Sequence, residues 1–138
     1  MCLTRVDRIE VLEGELVCWK VLEVCIEWRL VPKPVEILSS MCFGKSLPIG
    51  EWIKDQEHML LAREDGKGCY MTGFHCYTIY EEARKSKYLL HKWNSWTGAR
   101  RLYRCRVRGQ VVFGYGDGVS SGPRQVVARE IFIEREEK

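Results

Sequence analysis

The chain has 138 residues, 46% of them hydrophobic and 30% charged, with a formal net charge of +3. This is ordinary usage for one globular domain with a single core, and too little excess charge for a generally basic protein. No apolar run approaches the roughly 20 residues that span a bilayer, and Met1 to Asp7 lack the apolar stretch of a secretory signal, so a cytoplasmic protein without membrane contact is expected.

Residues 16–31 are rich in β-branched and aromatic types and predict one long strand or two shorter ones. Pro32 and Pro34 end the run, because proline cannot donate to a ladder. Residues 35–57 contain Ser39, Ser40, Gly44, Pro48 and Gly50, and read as an irregular connection. Met59 to Arg63 predicts a short strand, Glu64 to Gly68 a turn, and Cys69 to Tyr77 a strand interrupted at Gly73. Thr78 to Glu81 has the form of a capping box, in which the threonine oxygen accepts the Glu81 amide and the glutamate reaches back. Ile79, Ala83, Leu90 and Trp93 follow near one helical face, and the helix is expected to end between Asn94 and Gly98. From Leu102 to Arg108 the alternation has a period of two: Tyr103, Cys105 and Val107 point one way, Arg104, Arg106 and Arg108 the other. The strand resumes from Gln110 to Tyr115 after Gly109. A flexible glycine-rich loop is expected over residues 114–123, a last strand over 125–134, and a frayed charged tail from Arg135. The expected fold is a single domain over residues 1–138, of the α+β class, with a mainly antiparallel sheet and one principal helix packed on one face.

Seven cysteines, an odd and scattered set, argue against a secreted disulfide framework and fit reduced thiols used as small core hydrophobes. There is no C-x-x-C pair, and the densest Cys/His group, Cys69, His75 and Cys76, lacks the spacing of a zinc site. No metal and no cofactor are expected.

The chemistry concentrates in one polarised segment. Between Glu82 and Asp117 there is no acidic residue, while Arg84, Lys85, Lys87, Lys92, Arg100, Arg101, Arg104, Arg106 and Arg108 all fall there. Tyr88, Trp93, Trp96 and Tyr103 are interleaved with them. Guanidinium groups grip phosphates in bidentate fashion, and aromatic rings stack on bases. Arg104, Arg106, Arg108, Trp93, Trp96 and Tyr103 are therefore the candidate ligand-binding residues. The competing reading is that Glu130 and Glu134 pair across the sheet with the arginine stripe. Cys2 is a second candidate. Removal of Met1 would leave its thiol beside a free α-amine, a nucleophile next to a base. His75, just ahead of the helix start, is a candidate acid–base group or ligand contact, set against a strand histidine with one structural hydrogen bond.

Several short segments together resemble a set of small uncharacterised bacteriophage and large-virus proteins, whose members open with Met-Cys-Leu and carry a Gly-Phe-His segment before a short helix. In this chain they are Met1-Cys2-Leu3, Trp19-Lys20-Val21-Leu22, Gly73-Phe74-His75-Cys76-Tyr77 with Glu82-Ala83, Arg104 to Gly109, and Val126 to Ile131. The resemblance covers most of the chain and brings no catalytic residues with it. It implies a viral accessory protein acting at the interface with a host, where many defences signal through cyclic or ADP-ribose-derived nucleotides.

Three functions follow as expectations. The first is a binder, or counter-defence sponge, for a phosphorylated nucleotide-derived molecule, with Arg104, Arg106 and Arg108 on phosphate. The second is a small hydrolase or lyase that uses Cys2 as nucleophile and His75 as acid–base group. The third is an inhibitor of a host protein anchored by Trp28, Trp52 and Trp96, since interface hot spots favour tryptophan. Nucleic-acid binding ranks behind these, and homo-oligomer formation stays open.

Overall fold

The computed structural model describes residues 3–27, 35–39, 47–55, 60–62, 68–71, 73–90, 99–116 and 124–138. In chain order the strands are β1 (Leu3–Glu27), β2 (Val35–Ser39), β3 (Trp52–Lys54), β4 (Leu60–Ala62), β5 (Cys69–Met71) and β6 (Phe74–Tyr77). Helix α1 (Tyr80–Leu90), β7 (Ala99–Gly116) and β8 (Arg124–Glu137) follow.

Every pairing is antiparallel. β1 pairs with β7 along nearly its whole length, β7 with β8, β8 with β6, and β6 returns to β1 at Trp19↔Tyr77. These four strands close a ring, with β1 meeting β6 at Trp19. β2 extends the sheet from the C-terminal end of β1, and β3 from β8. β4 and β5 form a separate two-stranded ladder.

The ring encloses the main core. Cys18 and Leu22 of β1, Phe74 and Cys76 of β6, Tyr103, Cys105, Val107 and Val111 of β7, and Val126, Ala128, Ile131 and Ile133 of β8 pack together there. Successive strand residues face opposite sides, so the period-two alternation of β7 places Tyr103, Cys105 and Val107 inward. Long strands must bend to close so small a ring. β1 and β7 lose register between Val11 and Glu15, and β7 and β8 between Arg108 and Val111. Gly109, at φ 78°, takes the left-handed conformation that this bend requires. Asp55, just past β3, ties down the bend in β8: its amide donates to the Arg129 carbonyl at 2.8 Å, and its own carbonyl accepts from Arg129 Nη2 at 3.1 Å.

The fold is mainly β, which overturns the α+β expectation. Strand takes up 77% of the described residues, whereas α1 has eleven. The helix is locally well specified, with Glu81 and Glu82 in its first turn, where they complement the helix dipole. It covers only a patch of the ring's outer face, where Ala83 packs on Val21, Tyr77 and Leu102, with Tyr80 edge-on to Trp19 at 5.8 Å. Core formation falls instead to the sheet folding round on itself. The structure also differs from expectation in detail. β1 begins at Leu3, β2 and β3 lie in the stretch read as irregular, and β8 runs through the charged tail to Glu137. Residues 64–67 of the expected turn and residues 117–123 of the expected loop fall outside the described residues.

Candidate ligand site

All four residues of β6 are buried. Phe74 and Cys76 point into the ring. His75 and Tyr77 point outward but are covered, Tyr77 by the helix patch and His75 by Tyr70 of β5. The Leu3 amide donates to the Tyr70 hydroxyl at 2.7 Å, and that hydroxyl lies 3.4 Å from His75 Nε2. The His75 side chain also hydrogen-bonds to the Gly73 backbone. The ring is neutral: burial first, and the positive charge of Lys20 second, lower its pKa to about 3. Lys20 is itself buried, and its ammonium donates to the His75 carbonyl at 2.8 Å.

Three free thiols, Cys18, Cys76 and Cys105, lie buried near this lysine. Cys18 donates its S–H to the Cys76 sulfur, which pushes the Cys18 pKa up. Burial pushes Cys105 up. These are core thiols, as their scatter in the sequence suggested. Cys69, His75 and Cys76 do not converge: Cys69 is exposed, and the other two face opposite sides of β6. Among the described residues, no group of three or more His, Cys, Asp or Glu side chains is placed to hold a metal.

The arginine stripe lies on the outer face of β7, and each member has a carboxylate. Arg104 Nε is 2.8 Å from Glu134 Oε2, Arg106 Nη1 2.8 Å from Glu15 Oε2, and Arg108 Nη2 3.4 Å from Glu130 Oε1. Two also lie over rings, Arg106 on Phe132 at 4.4 Å and Arg108 on Trp52 at 3.9 Å. Glu130 and Glu134 are the two carboxylates that the sequence offered as partners. Glu15 arrives from β1 through a register that sequence reading did not anticipate. Tyr103 is buried inside the ring and so presents no face for stacking on a ligand. Cys2, Trp93 and Trp96 fall outside the described residues.

Sequence reading missed a cavity of about 270 Å³ between β1, β7 and the start of β8. Leu16 and Phe113 give it apolar walls, and Arg8, Thr78, Tyr115 and Arg124 give it polar and aromatic ones. β7 alternates Phe113, Gly114, Tyr115, Gly116, so one face of the strand carries two rings and the other is bare. The bare face lets the start of β1 cross closely, because a side chain at Gly114 would run into the Arg5 carbonyl. This alternation was the available signal, masked by reading residues 114–123 as loop. Arg8 lies 4.1 Å from the Phe113 ring centroid and pairs with Glu10 at 3.2 Å, while Arg5 lies 5.2 Å from the Tyr115 centroid and pairs with Asp7 at 3.1 Å.

Arg124 differs from all of these. Its backbone is fixed: the amide donates to Glu82 Oε2 at 2.6 Å, and the carbonyl accepts from the Thr78 amide at 3.1 Å and the Thr78 hydroxyl at 3.5 Å. Glu82 and Thr78 thus anchor the start of β8 to the start of the helix. The Arg124 guanidinium has no carboxylate, ring or hydrogen-bond partner among the described residues. No known family model, curated protein or solved structure matches this chain.

Proposed function

We propose that this domain binds a phosphorylated, nucleotide-derived small molecule in the cavity between β1, β7 and β8, as a stoichiometric captor suited to a viral counter-defence role. The observation that carries this reading is the Arg124 guanidinium, without a partner among the described residues, at the wall of a cavity lined by Phe113 and Tyr115. A guanidinium grips a phosphate in bidentate fashion. The Thr78 hydroxyl and Arg8 stand on the same wall system, and aromatic rings offer stacking surface for a base. The Arg104, Arg106 and Arg108 charges are already balanced by carboxylates, and a ligand there would have to displace each pair. Capture is favoured over turnover because His75 is buried, engaged with Tyr70 and absent from the cavity wall. Of the tryptophans that would anchor a host-protein inhibitor, Trp52 packs against Phe132 at 5.6 Å and beneath Arg108.

Calorimetric titration with adenosine 5′-monophosphate tests the reading. Arg124→Ala should weaken binding at least about tenfold, the value of one charge-assisted hydrogen bond. The Arg104→Ala/Arg106→Ala double variant should stay within about twofold of the parent, as remote sites do. Loss of binding in the double variant with retention in Arg124→Ala would move the site to the stripe. Absence of binding in the parent would remove the proposal.

A further inference from the structure

We propose that the N-terminal half of β1 pairs with the same segment of a second copy, antiparallel and centred on Ile9, to form a homodimer with one continuous sheet. The inference does not rest on the ligand-binding reading, although Arg8 also lines the cavity.

From Arg5 to Val11 one edge of β1 is held by β7. The other edge carries no strand among the described residues, because β6 and β2 join β1 only at Trp19 and from Glu23 onward. Among the described residues, no strand pairs with the backbone groups of that edge. On the same stretch Ile9 is 61% exposed and Val11 71%. An open edge with exposed apolar residues is a template for strand addition, which proteins usually blunt with charge.

Here the charges select the partner. Two copies related by a two-fold axis normal to the sheet keep the same face up, so the axis must pass through a residue paired with its own copy. Centring on Asp7, Arg8 or Glu10 sets a charge against itself, and centring on Val11 sets Asp7 against Glu15. Centring on Ile9 sets isoleucine against isoleucine, Arg8 against Glu10 twice, and Arg5 against Glu13 at the margins. Of these five registers only the Ile9-centred one has opposite charges facing and no like pair. Arg8 through Val11 is also the regular stretch of this half of β1, free of register shifts against β7. Arg8 and Glu10 already reach each other at 3.2 Å within one chain, and in the dimer they can exchange partners across the axis. The same charges reject most other strands, so one pattern provides both attraction and selectivity.

Sedimentation velocity of the full chain up to millimolar concentration tests this. The expected result is a mass rising from the 16.2 kDa of one chain toward twice that value. Arg8→Glu or Glu10→Arg alone should raise the dimer dissociation constant at least about tenfold, since attractive cross-strand pairs become repulsive. The Arg8→Glu/Glu10→Arg double variant should recover dimerisation, and Ile9→Lys should abolish it. These side chains are exposed, so folding is expected to survive each change. A monomer at every concentration would overturn the proposal. So would a dimer indifferent to the single swaps, or a double swap that stays as weak as they are.

Discussion

Lowering the pH from 7 toward 4 should destabilise this protein steeply, and His75→Gln should remove a large part of that sensitivity. In the unfolded chain an imidazole titrates near 6.5. In the folded chain His75 is held neutral down to about pH 3, first by burial and then by Lys20. The sign follows from which state takes up the proton. Above about pH 6.5 neither state is protonated there, and the group contributes no pH dependence. Below it the unfolded chain gains a proton that the folded chain refuses. The folding equilibrium constant then falls by about tenfold per pH unit until the folded pKa is reached. The loss totals on the order of a thousandfold, which is large against the marginal stability of a domain. Denaturant titrations at pH 7, 5 and 4 measure the effect, with the difference between parent and His75→Gln isolating it from the carboxylates. Parallel pH profiles for the two proteins would show that His75 is not held neutral.

Gly114→Ala should cost about 2–4 kcal/mol and lower Tm by roughly ten degrees. The added methyl would run into the Arg5 carbonyl, a backbone group of a paired strand that cannot rotate aside, with the Leu3 side chain at 3.1 Å. Relief requires the start of β1 to lift from β7. That also loosens the bond between the Leu3 amide and Tyr70, and the cavity wall at Gly114. Gly14→Ala is the control: nothing lies within 4 Å of the added carbon and its φ is not in the left-handed region, so its stability should change little or rise slightly. Thermal unfolding of the two variants gives the comparison. Equal melting temperatures would mean that β1 does not cross β7 as closely as described.

The strands were legible wherever local alternation carried the signal. β7 reads from Leu102 to Arg108 as a strand with an inward Tyr103, Cys105 and Val107, and this is how it packs. The break at Gly73 was legible from the residue type, though its cause is a distant contact: a side chain there would meet the Ala128 carbonyl of the neighbouring strand. Ring closure was not legible, because it depends on Trp19 meeting Tyr77 and on β8 serving both β6 and β7, contacts between residues far apart in the chain. The first half of β1 was missed because its residues are mostly exposed and so lack the apolar face that marks a strand. The helix was given the weight of a layer because capping residues are a strong local signal, whereas its small share of the core is a tertiary fact.

The same limit governed the site. A stripe of three arginines is conspicuous in sequence, but whether it is available depends on where carboxylates fall. Glu15 reaches Arg106 from 91 positions away. Arg8, Phe113, Tyr115 and Arg124 come from three strands, and nothing in their local sequence joins them. Thr78 was assigned to capping the helix, and its hydroxyl donates to β8.

Amide chemical-shift mapping of the labelled chain during titration with adenosine 5′-monophosphate is the most direct test of the proposed site. The expected result is saturable shifts clustered at Arg8, Thr78, Phe113, Tyr115 and Arg124, and lost in Arg124→Ala. Shifts centred instead on Arg104, Arg106 and Arg108, or no saturable shifts at all, would contradict it.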